Sequence, residues 1–225
     1  MNIMLLLLVS LQVSGVIVPA QQSTVSTQQS NEVSQNKTMD SQREELLHEQ
    51  YLAFLATLNP AKIEADYVGA VRKIRSANPD EREIGLQVLG ACDEIDAIAL
   101  IVELLDSDNR STRIHAGLAL ENLVSSHELK RRDMSQDNKI VLLPRSPEDI
   151  DLRPLAWIIL KMMRAPDDGS SAAYAATMAA YLGLTELKSD LERLLKSQHR
   201  AVSDKATEAL LRLNSNPNID KKMPE

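Results

Sequence analysis

The sequence predicts an all-α chain, an α-solenoid of helix pairs with an N-terminal capping helix. From residue 43 to 213, apolar residues recur at three- and four-residue spacing, and no alternating stretch of useful length interrupts them. Aromatics are only 3% of the 225 residues, so the 44% apolar content is mainly aliphatic, which suits helices better than small β folds. Sliding the chain against itself by 31 and by 90 residues brings one pattern of small and apolar residues into register.

Residues 3–20, IMLLLLVSLQVSGVIVPA, are an apolar block ending in Val18-Pro19-Ala20. The small side chains of Val18 and Ala20 suit a signal peptidase, so residues 1–20 are expected to be a signal peptide cut after Ala20, leaving a secreted or periplasmic chain. The alternative is an uncleaved anchor, since the block approaches the roughly 20 residues that span a bilayer. Ser10, Gln12, Ser14, Gly15 and Pro19 weigh against that, and the membrane is a partner only if the segment stays uncleaved. Residues 21–42 are almost entirely Gln, Ser, Thr and Asn and are expected to form a disordered spacer.

Leu46, Leu47, Tyr51, Phe54, Leu55 and Leu58 mark the first helix, which Asn59-Pro60 stops. It reads as a cap whose Tyr51/Phe54 edge covers the first repeat. A second helix is expected from about Ala61 to Ser76 with Val68, Val71 and Ile74 on one face, and Asn78-Pro79-Asp80 turns into a third. Gly85, Val88, Leu89 and Cys92 then fall on Ala116, Ala119, Leu120 and Leu123, and these on Ala206, Ala209, Leu210 and Leu213. Each set has i, i+3, i+4, i+7 spacing, one buried helical stripe seen three times. Ile101, Leu104 and Leu105 fall on Leu191, Leu194 and Leu195, with Ser107 on Ser197 and Arg110 on Arg200. A further repeat is expected over 152–183, with Leu155, Ile158, Ile159, Met162 and Met163 in its first helix. Its second helix admits two registers, Ala175/Met178/Ala179/Leu182 or Met178/Tyr181/Leu182/Thr185.

Helix pairs with tight turns, an Arg early in the second helix (Arg82, Arg113) and endings such as Val88-Leu89-Gly90 and Tyr181-Leu182-Gly183 resemble HEAT repeats. The short period is similar to the HEAT-like repeats of bacterial proteins and phycobilin lyases. The resemblance covers roughly residues 61–213 and implies an architecture of stacked pairs sharing one core; it implies almost nothing about activity. The fourth repeat departs from it, with Ser203 where the Arg falls.

Between the second and third repeats lies an insertion, 127–151, with Lys130-Arg131-Arg132, the apolar run Ile140–Leu143, and Ser146-Pro147-Glu148-Asp149 in the form of a helix start. The run Ile140–Leu143 tucks into a groove between repeats, or the insertion forms a partner-binding loop, or it is disordered. Residues 214–225 read as a flexible tail.

Catalytic patterns are scarce. His48, His115, His127 and His199 show no ligand-pair spacing, and Asp106-Ser107-Asp108 has Arg110 where a calcium loop needs oxygen. The one cysteine, Cys92, excludes a disulfide framework within the chain and sits in the buried column, an inert thiol. No cofactor or metal is expected. The formal charge of −7 speaks against a phosphate-backbone binder, so nucleic acid is not expected as a partner.

The sequence thus points to an exported non-enzymatic scaffold or adaptor that binds a protein partner of unknown identity. The alternatives are an accessory or lyase-like protein holding a substrate in its groove, and a structural envelope component. Second helices line the concave side of such stacks. Arg82, Arg113, Gly117, Glu121, Lys205 and Arg212 are therefore expected to face solvent, and all but Gly117, together with Lys130, Arg131 and Arg132, to contact the partner. Arg82 and Arg113 have a competing role, tying turns together through carboxylates such as Asp80 and Asp108.

Overall fold

The computed structural model describes residues 23–130, 132–134, 140–142, 150–165 and 169–215, with side chains described over 39–129, 150–165 and 169–215. The chain is all-α apart from one short ribbon. Its helices are α1 (Ser23–Leu55), α2 (Pro60–Asp66), α3 (Val68–Ile74), α4 (Pro79–Ala91), α5 (Ile98–Val102), α6 (Arg110–Lys130), α7 (Ala156–Arg164), α8 (Gly169–Leu182), α9 (Lys188–Leu194) and α10 (Arg200–Ser215). Single 3₁₀ turns at Ile95–Ala97, Arg153–Leu155 and Thr185–Leu187 lead into α5, α7 and α9, and another, Glu103–Asp106, extends α5. Two compact units divide at Arg43: the first holds the N-terminal part of α1, the second all the rest.

Helix α1 starts within the segment expected to be spacer. No Gly or Pro stands between Pro19 and Pro60, so nothing in the sequence stops the helix from running back to Ser23. The signal segment lies outside the described residues, as does the tail beyond Ser215. Among the described residues no helix is long and apolar enough to cross a membrane.

Within the second unit, α4 packs on α6, α6 on α8 and α8 on α10, while α3 lies against α4, α7 against α8 and α9 against α10. The close approaches need small residues. A Cβ on Gly90 would stand 2.7 Å from Ala119 Cα, and one on Gly85 would stand 2.8 Å from the Ala70 carbonyl oxygen, so α6 and α3 can reach α4 only where it carries hydrogen.

The buried columns match the repeat, with differences that neighbours explain. In α6, Ala116, Ala119, Leu120 and Leu123 are buried, as are Gly117 and Val124, because α4 and α8 flank it on two sides. In α10, Ala206, Ala209 and Leu213 are buried and Leu210 is partly so. In α4, Gly85 and Leu89 are buried but Val88 is 43% exposed and Cys92 half-buried; among the described residues, α4 packs closely on α6 but not on α8 or α10. For α8 the register is Ala175/Met178/Ala179/Leu182, all buried; Tyr181 and Thr185 are half-buried. In the preceding helix Leu155, Ile158, Ile159, Met162 and Met163 are buried as expected.

Two expectations are corrected. The helix over 61–76 breaks at Tyr67, so Val68 is 53% exposed while Ala70, Val71 and Ile74 are buried. The other concerns the N-terminal helix, expected to cover the first repeat. Leu47, Tyr51 and Phe54 are its buried stripe, but Tyr51 and His48 stack on Trp157 of α7, with ring centroids 5.1 and 4.3 Å apart, and Glu44 accepts from Arg164 Nη1 at 2.6 Å. The part of the helix from Glu44 onward therefore lies against α7, because Trp157 offers the ring that its aromatic stripe can cover. Arg164 also donates to Asp190 at 3.2 and 3.3 Å, and Arg193 joins them; that carboxylate, 3% exposed, locks α7 to α9.

Three turns share one hydrogen bond. The Oγ of Ser76, Ser107 and Ser197 accepts from the amide two residues on, at Asn78, Asn109 and His199, at 3.1, 3.3 and 3.2 Å. Asn78 Oδ1 then caps α4 through the Asp80 amide, and Asn109 Oδ1 caps α6 through the Thr112 amide. These serines are separated by the same 31 and 90 residues as the helix columns. The same 90-residue step links Asp93 and Gly183, with φ of 60° and 69°, each leaving a second helix for the next 3₁₀ turn. Aspartate tolerates that left-handed conformation better than most side chains.

In the insertion, β1 (Arg132–Met134) pairs antiparallel with β2 (Ile140–Leu142), Asp133 opposite Val141. The first three residues of the apolar run form the second strand, consistent with the β preference of Ile140 and Val141. His127 Nε2 donates to the Ile150 carbonyl at 3.3 Å and joins the two ends of the excursion. The helix start expected at Ser146 lies outside the described residues.

Candidate functional site

Helices α4, α6, α8 and α10 pack one on the next. Helix α8 lies between α6 and α10. Its buried side is Ala-rich, and Tyr174, Thr177 and Tyr181, spaced i, i+3, i+7, are half-buried along its other side. The Arg212 guanidinium lies 4.8 Å from the Tyr181 ring centroid, a cation–π contact that bridges α10 to α8. On α10, exposed Lys205 pairs with Glu208 at 3.0 Å. On α6, Glu121 is half-buried and accepts from Ser125 Oγ at 3.0 Å. His115 reaches Glu83 of α4 with Nε2 at 3.0 Å, and its Nδ1 donates to the Ser111 carbonyl at 2.8 Å.

Two of the expected contact residues are used by the fold. Arg82 Nη1 donates to the carbonyls of Ser76 and Ala77 at 2.7 and 3.2 Å, and Arg113 Nη1 donates to those of Ser107 and Asp108 at 2.7 and 3.1 Å. The competing role expected for both is present, through main-chain carbonyls and not the Asp80 and Asp108 side chains. Arg82 Nε also donates to Thr112 Oγ1 of α6 at 3.0 Å, tying one turn to the next. Gly117, expected to face solvent, is buried against Met162 and Tyr174. Lys130 ends α6 and Arg132 begins β1, with their side chains not described; Arg131 lies outside the described residues.

The surface that remains is Glu121, Lys205 and Arg212, to which the structure adds Tyr174 and Tyr181. The tyrosines were missed as a pair, although their seven-residue spacing in an otherwise Ala-rich helix was the available signal.

A cleft of about 650 Å³ opens elsewhere, lined by Gln50, Phe54, Asp151, Arg153, Thr185 and Glu186 among others. Asp151 accepts from Arg153 through both carboxylate oxygens, at 2.6 to 3.0 Å. That hydrogen bond, with Glu186 and Glu128 nearby, holds the guanidinium even above its ordinary value. The two side chains form an ion pair, each about half-exposed. Cys92 Sγ donates to the Leu89 carbonyl at 3.0 Å, and burial pushes the thiol up, which keeps it protonated. Among the described residues no group of three or more His, Cys, Asp or Glu is placed to hold a metal ion.

In comparisons with known proteins, no family model matches the chain and no curated protein matches it significantly.

Proposed function

We propose that the protein is an exported, non-enzymatic adaptor, a short α-solenoid of HEAT-like pairs whose second-helix surface binds a polar protein partner. The observation that carries this reading is the Tyr174/Thr177/Tyr181 stripe on α8, flanked by Arg212 and Lys205 on one side and Glu121 on the other. Tyr and Arg are enriched at the buried centres of protein interfaces because they bring large contact area with a polar tip. The serial packing of α4, α6, α8 and α10 supports the solenoid part of the reading, and it gives that stripe a rigid base. Export rests on the apolar block and the Val18-Pro19-Ala20 end alone. The mature chain then begins at Gln21, which N-terminal sequencing of the native protein reads directly.

A photo-crosslinking amino acid placed at Tyr181 should capture one protein in the native compartment, and Arg212→Ala should weaken that capture. The same probe at exposed Glu192, on α9, should capture nothing specific. Capture at Glu192 but not at Tyr181 would move the binding surface to the other helix layer and end this reading.

A further inference from the structure

A step of 31 residues carries Tyr174, Thr177 and Tyr181 of α8 onto Lys205, Glu208 and Arg212 of α10. The same step carries the apolar column of α8, Ala175/Met178/Ala179/Leu182, onto that of α10, so the two triplets hold the same positions on adjoining helices. One contact makes this register visible. The Arg212 guanidinium lies 4.8 Å from the ring centroid of Tyr181, its own equivalent one repeat back. At the other end of the stripe the Tyr174 ring lies over α6, where a Cβ on Gly117 would stand 3.3 Å from it.

The charges around the stripe are unequally engaged. Helix α8 has no charged side chain. On α10, Glu208 pairs with Lys205 at 3.0 Å, one turn back, and so is drawn away from Arg212, one turn ahead. Arg82 and Arg113, half-buried like Arg212, direct their N–H groups at main-chain carbonyls. The Arg212 side chain makes no ion pair and no hydrogen bond among the described residues; its contact is the ring beneath it.

We propose that Arg212, held on Tyr181, is a carboxylate-binding anchor, and that the partner presents there a peptide segment with a single Asp or Glu beside apolar residues that cover the tyrosine stripe. The proposal rests on the reading of this surface as a protein-binding face and names the chemistry it selects. A planar guanidinium takes a carboxylate through two parallel N–H···O bonds, and a ring that fixes its plane in advance lowers the cost of ordering it. One unengaged cation matches one carboxylate. A polyphosphate or a long acidic run would need further unpaired cations, and the formal charge of −7 would repel it.

Two pools of ten-residue synthetic peptides test this, with Leu, Pro, Ala and Ser varied at every position but one, where the first pool has Glu and the second Gln. Affinity selection on the mature chain should enrich the Glu pool. Selected peptides, measured singly by fluorescence anisotropy, should bind ~10-fold or more tightly than their Gln counterparts, the range of a hydrogen-bonded charge pair. Arg212→Gln should erase that difference, Arg212→Lys should restore part of it, and Tyr181→Ala should weaken both kinds of peptide. Thermal melts matching the wild type show that the variants are folded. Equal enrichment of the two pools, no binder in either, or a Glu preference that survives in Arg212→Gln would overturn the proposal. Binding that needs Tyr181 but does not distinguish Glu from Gln would remove the anchor and leave the protein-binding surface standing, whereas the crosslinking result at Tyr181 and Glu192 decides that surface by itself.

Discussion

Helices α4 and α6 carry the same column of residues and differ in their surroundings. Leu89 and Leu120 are both fully buried, but Val88 is 43% exposed where Ala119 is covered, and Cys92 is half-open where Leu123 is closed. The sequence period tells which side of a helix is apolar. The number of neighbours decides how much of that side is buried, and a position next to a neighbour must also be small. Gly90 and Ala119 are small because they meet; Val88 and Leu211 are larger and exposed.

The largest expected effect is at the centre. Leu120→Asp sets a charge in a site with no exposure and should cost about 4 kcal/mol or more, enough to unfold the helical unit. Glu121→Lys, one residue on and half-buried, should stay within about 0.5 kcal/mol. Denaturant melts followed by circular dichroism separate the two.

Close approach comes next. Gly90→Ala places its Cβ 2.7 Å from main-chain Cα of Ala119 and should destabilise by ~1–3 kcal/mol. Gly69→Ala, in α3 with open space around it, should instead stabilise by up to about 1 kcal/mol through helix propensity. Thermal melts with opposite signs would confirm that the inter-helix contact, not the loss of glycine, sets the cost.

The turns give a smaller difference. Arg113→Ala loses its bonds to the Ser107 and Asp108 carbonyls and should cost ~1–2 kcal/mol. Arg82→Ala should cost more, because it also leaves the buried Thr112 hydroxyl without that donor. If both arginines serve only a partner, neither substitution moves the midpoint of unfolding.

Alkaline pH should distinguish the α1–α7 contact from the rest. Burial, with Asp106 adding, pushes the Tyr51 phenol from 10.0 up to about 12. A raised value means the fold favours the neutral phenol, so this stability is fully present below pH 10 and is lost as pH rises from about 10 to about 12. Tyr51→Phe should remove that part of the alkaline loss in a pH series of denaturant melts.

Much of the helix layout was legible because the α6 and α10 columns repeat with the same spacing. The break at Tyr67 was not, since no Pro or Gly interrupts the sequence near it apart from Gly69, and the Val68, Val71, Ile74 spacing suits a single helix. Contacts far apart in sequence were also hidden: Tyr51 with Trp157, and Arg164 with Glu44 and Asp190, join residues that no local period relates. At the candidate surface, Lys205, Arg212 and Glu121 followed from the column rule. Arg82 and Arg113 were legible as a pair, but their carbonyl acceptors were not, because a main-chain oxygen leaves no mark in a sequence.

Native-state hydrogen exchange tests the central claim, that burial within one repeated column is set by the number of flanking helices. Amides of α6 and α8, each flanked on both sides, should be the most protected, with α4 and α10 opening at lower free energy. Uniform protection across the four helices, or protection greatest in α4 or α10, would contradict it.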